Sequence, residues 1–188
     1  WPGGKPNADD SSRPERANPA KKRVIIFSPH PDDDVISMGG TFDRLVEQGH
    51  EVHIVYQTSG NIAVSDSEAL KYAEVIKDVN PTFPKVDDII RKIDTKLGDI
   101  EDEIEVRSLK GIIRKRESLA ATRFVGVPDE NVHFLNLPFY ETGRVKKNPL
   151  GIVDIEMVAD IIATIKPHQV YAAGDLADPH GTHKVCLD

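Results

Sequence analysis

Residues 24–27, Val-Ile-Ile-Phe, run straight into Ser28-Pro29-His30-Pro31-Asp32-Asp33-Asp34, and that junction narrows what the chain can become. A continuous run of β-branched and aromatic residues suits a parallel strand buried on both faces, and two prolines forbid its continuation. A His and three carboxylates are left just past the strand's C-terminal end, the edge at which open α/β sheets gather their chemistry. A His and an Asp three residues apart on a tight turn can aim at one metal ion, while the Asp between them reaches whatever sits beside it. His30 and Asp33 are thus candidate ligands and Asp32 a candidate base. The competing reading is a polar turn whose acids cap the next helix, since carboxylates suit a helix N-terminus.

Downstream, the periodicity alternates between strand and helix. A helix is expected over 35–48, with apolar Val35, Ile36, Met38, Phe42, Leu45 and Val46 on one stripe and Gly49 as its stop. Residues 51–56 read as a second strand, which completes a right-handed βαβ unit. A helix over 66–79 starts at Ser65 or Asp66, and Pro81 and Pro84 follow it. The segment 85–105 is dense in charge with isoleucines at helical spacing, and reads as a solvated amphipathic insertion on the side of the core. A helix over 108–126, facing inward through Ile112, Ile113, Leu119, Ala120 and Phe124, a strand over 131–135, a loop over 137–149, a helix over 152–165 and a strand over 169–172 complete the pattern. The expected fold is α/β, a Rossmann-like three-layer sandwich with a mostly parallel sheet and a helical insertion.

With 188 residues, 39% of them hydrophobic, the chain can fill one core. Residues 1–22 hold Trp1 and four prolines and almost no aliphatic side chain, so they read as a linker or N-terminal arm ahead of a domain over 23–188. A net charge of −7 with no basic stripe argues against nucleic acid. The single Cys186 rules out a cysteine zinc cage. No apolar run approaches the roughly 20 residues of a membrane span, so a cytoplasmic protein is expected. Both ends look cut, which suggests a piece of a longer polypeptide truncated at its C-terminus.

A second polar cluster follows the last strand: Gly174-Asp175-Leu176-Ala177-Asp178-Pro179-His180-Gly181-Thr182-His183. The two strand ends can bring His30, Asp33 and one of His180 or His183 to a common point, and two His plus one carboxylate is a recurring catalytic zinc set. Asp175 and Asp178 are read as loop-turning residues. His50, His53, His133 and His168 lie at strand edges or helix ends and are read as structural.

His30-Pro-Asp-Asp33 after a hydrophobic strand, with His180-x-x-His183 late in the chain, resembles the PIG-L/LmbE family of zinc-dependent N-deacetylases. Thr58-Ser59-Gly60, Arg114-x-x-Glu117 and Phe134-Leu-Asn-Leu-Pro138 fall in the matching order. The text around Asp178-Pro-His-Gly-Thr-His183 and Leu137-Pro-Phe-Tyr-Glu-Thr-Gly143 is similar to the deacetylase-like C-terminal region of glucosamine-6-phosphate deaminase-like fusion proteins. Many relatives carry Glu at the position of Asp34 and Asp at that of Thr182. The resemblance implies that His30, Asp33 and His183 bind Zn2+, that Asp32 is the general base, and that His180 steadies the oxyanion or protonates the amine. It implies removal of an acetyl group from an N-acetylglucosamine-type sugar or sugar conjugate, with Arg114 and Tyr140 as candidate substrate contacts. A fused deaminase-like domain is an implied partner, and an oligomer is compatible with it.

Two other classes compete. A nucleotide-binding Rossmann domain would need a Gly-x-Gly-x-x-Gly turn after the first strand, where this chain has carboxylates. A non-catalytic or regulatory module of a deaminase-like fusion protein would keep the fold, and with it the metal ligands.

Overall fold

The computed structural model describes residues 19–98, 100–144, 146–173, 177 and 181–188. The expected linker therefore lies outside the described residues over 1–18. Strand β1 (Arg23–Ser28) is buried along nearly its whole length, as its unbroken apolar run requires. β2 (Glu51–Tyr56), β3 (Val132–Phe134) and β4 (Gln169–Ala172) pair with it in the order β3-β2-β1-β4. All three pairings are parallel, so the sheet expected to be mostly parallel is wholly so.

Alternation along β1 divides the core between two faces. Val24 and Ile26 join Phe42, Leu45 and Leu119 beneath helices α2 (Gly39–Glu47) and α5 (Ile104–Val125). Ile25 and Phe27 meet Ile165, Val158 and Ile161 of α6 (Ile152–Ile165) on the other face. The chain thus winds outward from β1 to β2 and β3 with its helices on one face, then returns by α6 on the opposite face to place β4 beside β1. That reversal opens a crevice at the C-terminal ends of β1 and β4, the switch point at which doubly wound sheets bind ligands.

Several boundaries differ from expectation for local reasons. The helix expected over 35–48 is two: α1 (Asp33–Ile36) and α2, separated where Met38 leaves helical geometry with φ −133° and ψ 11°. Val35 and Ile36, expected on the buried stripe, belong to the short first piece and are exposed. α3 (Asp66–Val79) begins where expected, with Ser65 Oγ accepting from the Glu68 amide. The segment 85–105 does not stand apart in solvent. Val86 and Ile93 of α4 (Val86–Asp94) are buried against Ala69 and Ala73 of α3 and Val106, Leu109 and Ile113 of α5, in a second apolar cluster. α5 starts four residues before position 108, so the expected insertion boundary falls inside a 22-residue helix. Its inward face runs through Val106, Leu109, Ile113, Leu119 and Thr122, which leaves Ile112, Ala120 and Phe124 exposed, with Phe124 93% accessible. Gly126, at φ 101°, ends the helix in a left-handed conformation that favours glycine.

The loop over 137–149 is anchored at its base. Leu137, Phe139 and Tyr140 are buried, and the Asp154 carboxylate accepts from the amides of Phe139 (3.0 Å) and Gly151 (2.8 Å). α7 (Thr182–Leu187) is tied to the loop after β2 by Gln57 Nε2, which donates to the Cys186 carbonyl at 3.0 Å. Among the described residues, no helix is long and apolar enough to cross a membrane.

Candidate metal centre

The turn after β1 is built by its own first residues. Ser28 Oγ accepts from the Asp34 amide (2.9 Å) and donates to the His30 carbonyl (2.5 Å), closing the segment on itself. Thr58, from the loop after β2, donates to the Pro29 carbonyl through both its amide (3.1 Å) and its hydroxyl (2.7 Å). Gly60 approaches so closely that a Cβ there would lie 2.7 Å from Pro31 Cδ, and its φ of 64° is left-handed as well. The Thr58-Ser59-Gly60 motif is therefore a clamp on the Pro-His-Pro turn.

The three acids divide their tasks. Asp32 occupies the N-cap position of α1 but makes no side-chain capping bond, so the polar-cap reading fails for it. Asp34 is fully buried and accepts from Tyr56 Oη at 2.9 Å. Burial pushes the Asp34 carboxyl above its ordinary range, against the opposing hydrogen bonds from Tyr56 and from backbone amides. Asp33 turns back to the turn itself, its Oδ2 accepting from the His30 amide at 2.8 Å.

Asp33 Oδ2 also stands 3.3 Å from His30 Nδ1 and 3.2 Å from His183 Nε2, and the two ring nitrogens are 3.1 Å apart. Burial raises the Asp33 carboxyl, but the His30 hydrogen bonds and the nearby His183 and His30 rings outweigh it and hold the group below its usual value. The donor triangle is nearly equilateral. Zinc bonds of about 2.0–2.2 Å at tetrahedral angles require donor separations of about 3.3 Å, so the edges match one face of such a site. Protons can satisfy these contacts only pairwise, whereas one cation satisfies all three donors together. Among the described residues this is the one group of three His, Cys, Asp or Glu side chains that could hold a metal ion.

The triangle opens on a cavity of about 510 Å3 lined also by Asp32, Gly60, Ile62, Arg114, Tyr140, Lys147 and Thr182. Tyr140 meets the His30 ring edge-on at 5.7 Å between centroids, and its phenol is pushed up by burial and by Glu141. Arg114 lines the cavity and is already engaged, with Nη2 donating to Asp32 at 2.8 Å and Nη1 to Glu117 at 2.7 Å. His180, Asp175 and Asp178 lie outside the described residues. Ser28, Tyr56 and Asp154, which build and brace the site, had no chemical motif to mark them.

The remaining histidines are structural. His50 Nδ1 accepts from the Lys22 amide (3.1 Å) and His168 Nδ1 from the Arg23 amide (3.0 Å). His53 stacks on His133 with 5.4 Å between centroids. Its Nε2 lies 3.1 Å from a Glu51 oxygen.

Two curated relatives align with the chain. One, a glucosamine-6-phosphate deaminase-like protein of Bacteroides thetaiotaomicron, is 54% identical over 198 residues, which is 100% of this chain and 30% of the relative. The other, the diacetylchitobiose deacetylase of Thermococcus kodakarensis, is 27% identical over 168 residues, covering 81% of this chain and 59% of the relative. The chain thus spans under a third of one relative and under two thirds of the other. The family model described as GlcNAc-PI de-N-acetylase, PIG-L, matches residues 25–188, from β1 through His183 to Asp188. The chain belongs to the PIG-L family of de-N-acetylases, hydrolases that depend on a metal.

Proposed function

We propose that this chain is the catalytic region of a zinc-dependent hydrolase that removes the acetyl group from an N-acetylglucosamine-type amino sugar. The observation that carries the reading is the donor triangle of His30, Asp33 and His183 with the Asp32 carboxylate on the same cavity. Membership in a de-N-acetylase family supports amide hydrolysis, and the diacetylchitobiose deacetylase relative supports an acetylated amino sugar as its object.

His30, Asp33 and His183 hold the ion, with two neutral imidazoles and one carboxylate leaving a net positive charge at the site. Bound there, zinc supplies Lewis-acid chemistry, polarising an acyl oxygen and acidifying water. Asp32 accepts the proton of the attacking water. Its ion pair with Arg114 occupies Oδ2 and fixes the carboxylate's position, so Oδ1 remains as the acceptor. His180 donates a proton to the departing nitrogen, and water has then added across the C–N bond to give acetate and a free amine. The Tyr140 ring walls the cavity beside His30 and keeps water from that side of the imidazole. Release of a primary amine from N-acetylglucosamine and diacetylchitobiose by the metal-loaded protein, abolished by chelation, tests the reading. Absence of amine release from either sugar with a full metal complement counts against it.

A second reading is a non-catalytic module of a longer deaminase-like protein in amino-sugar metabolism. It is favoured by the 30% coverage of the Bacteroides relative. Amine release decides between the two.

A further inference from the structure

One cation in the cavity has no carboxylate in salt-bridge contact among the described residues. The Lys147 ammonium sits 3.7 Å from the centroid of the Tyr140 ring and donates to the Arg144 carbonyl at 3.1 Å. Among the described residues no carboxylate forms an ion pair with it. The acid nearest in sequence, Glu141, is occupied elsewhere, accepting from the Ser59 amide (3.2 Å) and Asn61 Nδ2 (3.0 Å). Arg114, the other fixed cation of the cavity, is committed to Asp32 and Glu117. Tyr140 meets His30 on one side and Lys147 on another, so a single aromatic ring separates the free ammonium from a metal-ligating imidazole.

We infer that Lys147 reads an anionic group, a phosphate or a carboxylate, carried by the amino sugar whose acetamide lies at the donor triangle. This inference rests on the deacetylase reading for the identity of the ligand as an amino sugar. Burial holds the Lys147 ammonium down, to about 8 from 10.5, with Glu141 offsetting only part of the effect. A half-buried cation with no carboxylate in direct contact among the described residues is a standing cost that a sugar hydroxyl cannot offset, because a hydroxyl brings no charge. A phosphate or carboxylate does, and lysine serves such groups as a point charge on a flexible stem. The Tyr140 face keeps the ammonium at the cavity wall through a cation–π contact and stops it from swinging into solvent. The arrangement therefore discriminates by charge at one end of the ligand while the metal ligands act on the other.

The test is calorimetric binding of two probes, N-acetylglucosamine 6-phosphate and N-acetylglucosamine, to the metal-loaded protein, to Lys147→Met and to Lys147→Arg. Wild type should bind the phosphorylated probe about 10–100-fold more tightly, as expected for a charge-assisted contact. The preference should vanish in Lys147→Met, persist in Lys147→Arg, and shrink as salt is raised. Equal affinities in wild type, no binding of the phosphorylated probe, or a preference that survives Lys147→Met would overturn the inference. Amine release is assayed separately on the same samples. A charge preference without amine release keeps the subsite and sinks the hydrolytic reading, and amine release without the preference does the reverse.

Discussion

Arg114 Nη2 donates to Asp32 Oδ2 across 2.8 Å, joining the turn after β1 to the middle of α5 over a separation of 82 residues. The guanidinium is mostly buried and is also pinned by Glu117 one turn further along the helix. A carboxylate fixed in this way cannot rotate out of the cavity. Arg114→Met should therefore lower kcat by about 10–100-fold, the usual cost of losing such an outer partner, and leave metal content intact. Parallel loss of metal and turnover would instead place Arg114 among the supports of the donor triangle.

Asp32 and Asp33 are separated by one peptide bond, and the proposed mechanism gives them different roles. Asp32→Asn keeps the side chain's shape but cannot take up a proton, so zinc should be retained and kcat should fall by about 10²–10⁴-fold. Asp33→Asn puts a neutral amide oxygen at a corner of the triangle and should weaken metal binding. Zinc content and turnover measured on both variants check the assignment, and retention of metal by Asp33→Asn with its loss from Asp32→Asn reverses it.

The strand-turn grammar of this chain was legible because each step has a strong local cause. Prolines 29 and 31 end β1, Ser65 caps α3 and Gly126 stops α5, and the strand ends do bring His30, Asp33 and His183 together. What escaped reading depends on tertiary contact. The break at Met38 follows from the acids of α1 folding back onto Ser28 and His30, which no helical stripe encodes. The run after Pro84 looked solvated because its charges are dense, yet Lys96 and, from α5, Lys110 share Asp66 and Asp102 in a semi-buried network beside the apolar contacts of Val86 and Ile93. Arg114 is legible as a cavity residue, but its commitment to Asp32 is a long-range pairing that spacing alone does not show.

Lys110 makes that network a stability determinant. Only 4% of it is exposed, and it holds Asp102 at 2.7 Å and Asp66 at 2.6 Å. Lys110→Met leaves Asp102 to Lys96 alone and should cost on the order of 3 kcal/mol, below the loss for a fully unpaired buried charge. Urea denaturation gives the value, and a change under about 0.5 kcal/mol would mean the network is screened like a surface one.

Gly60 is the tightest steric point of the site. Gly60→Ala sets a methyl against Pro31 in a left-handed conformation, and should destabilise the protein by about 1–3 kcal/mol while shifting the His30 turn. A variant with wild-type melting temperature and zinc affinity would show that the clamp is slack.

The Lys147 ammonium carries a pH signature. Its folded-state value of about 8 lies below the ordinary 10.5, so between these values the unfolded chain binds more protons than the folded one. The group's contribution is least favourable below pH 8 and improves as pH rises from about 8 toward 10.5. Lys147→Met should thus be more stable than wild type at pH 7, by on the order of 1 kcal/mol after solvent screening, and the difference should close by pH 10. Denaturation curves at the two pH values test this, and a difference that does not change with pH contradicts it.

Zinc stoichiometry of wild type and His183→Ala, measured after equilibration with limiting free zinc, probes the donor triangle most directly. Because His183 would supply one of three protein ligands in the proposed centre, wild type should hold one equivalent and the variant should hold almost none under the same conditions. A full equivalent retained by His183→Ala, or none bound by a correctly folded wild type, would contradict a metal centre built from His30, Asp33 and His183.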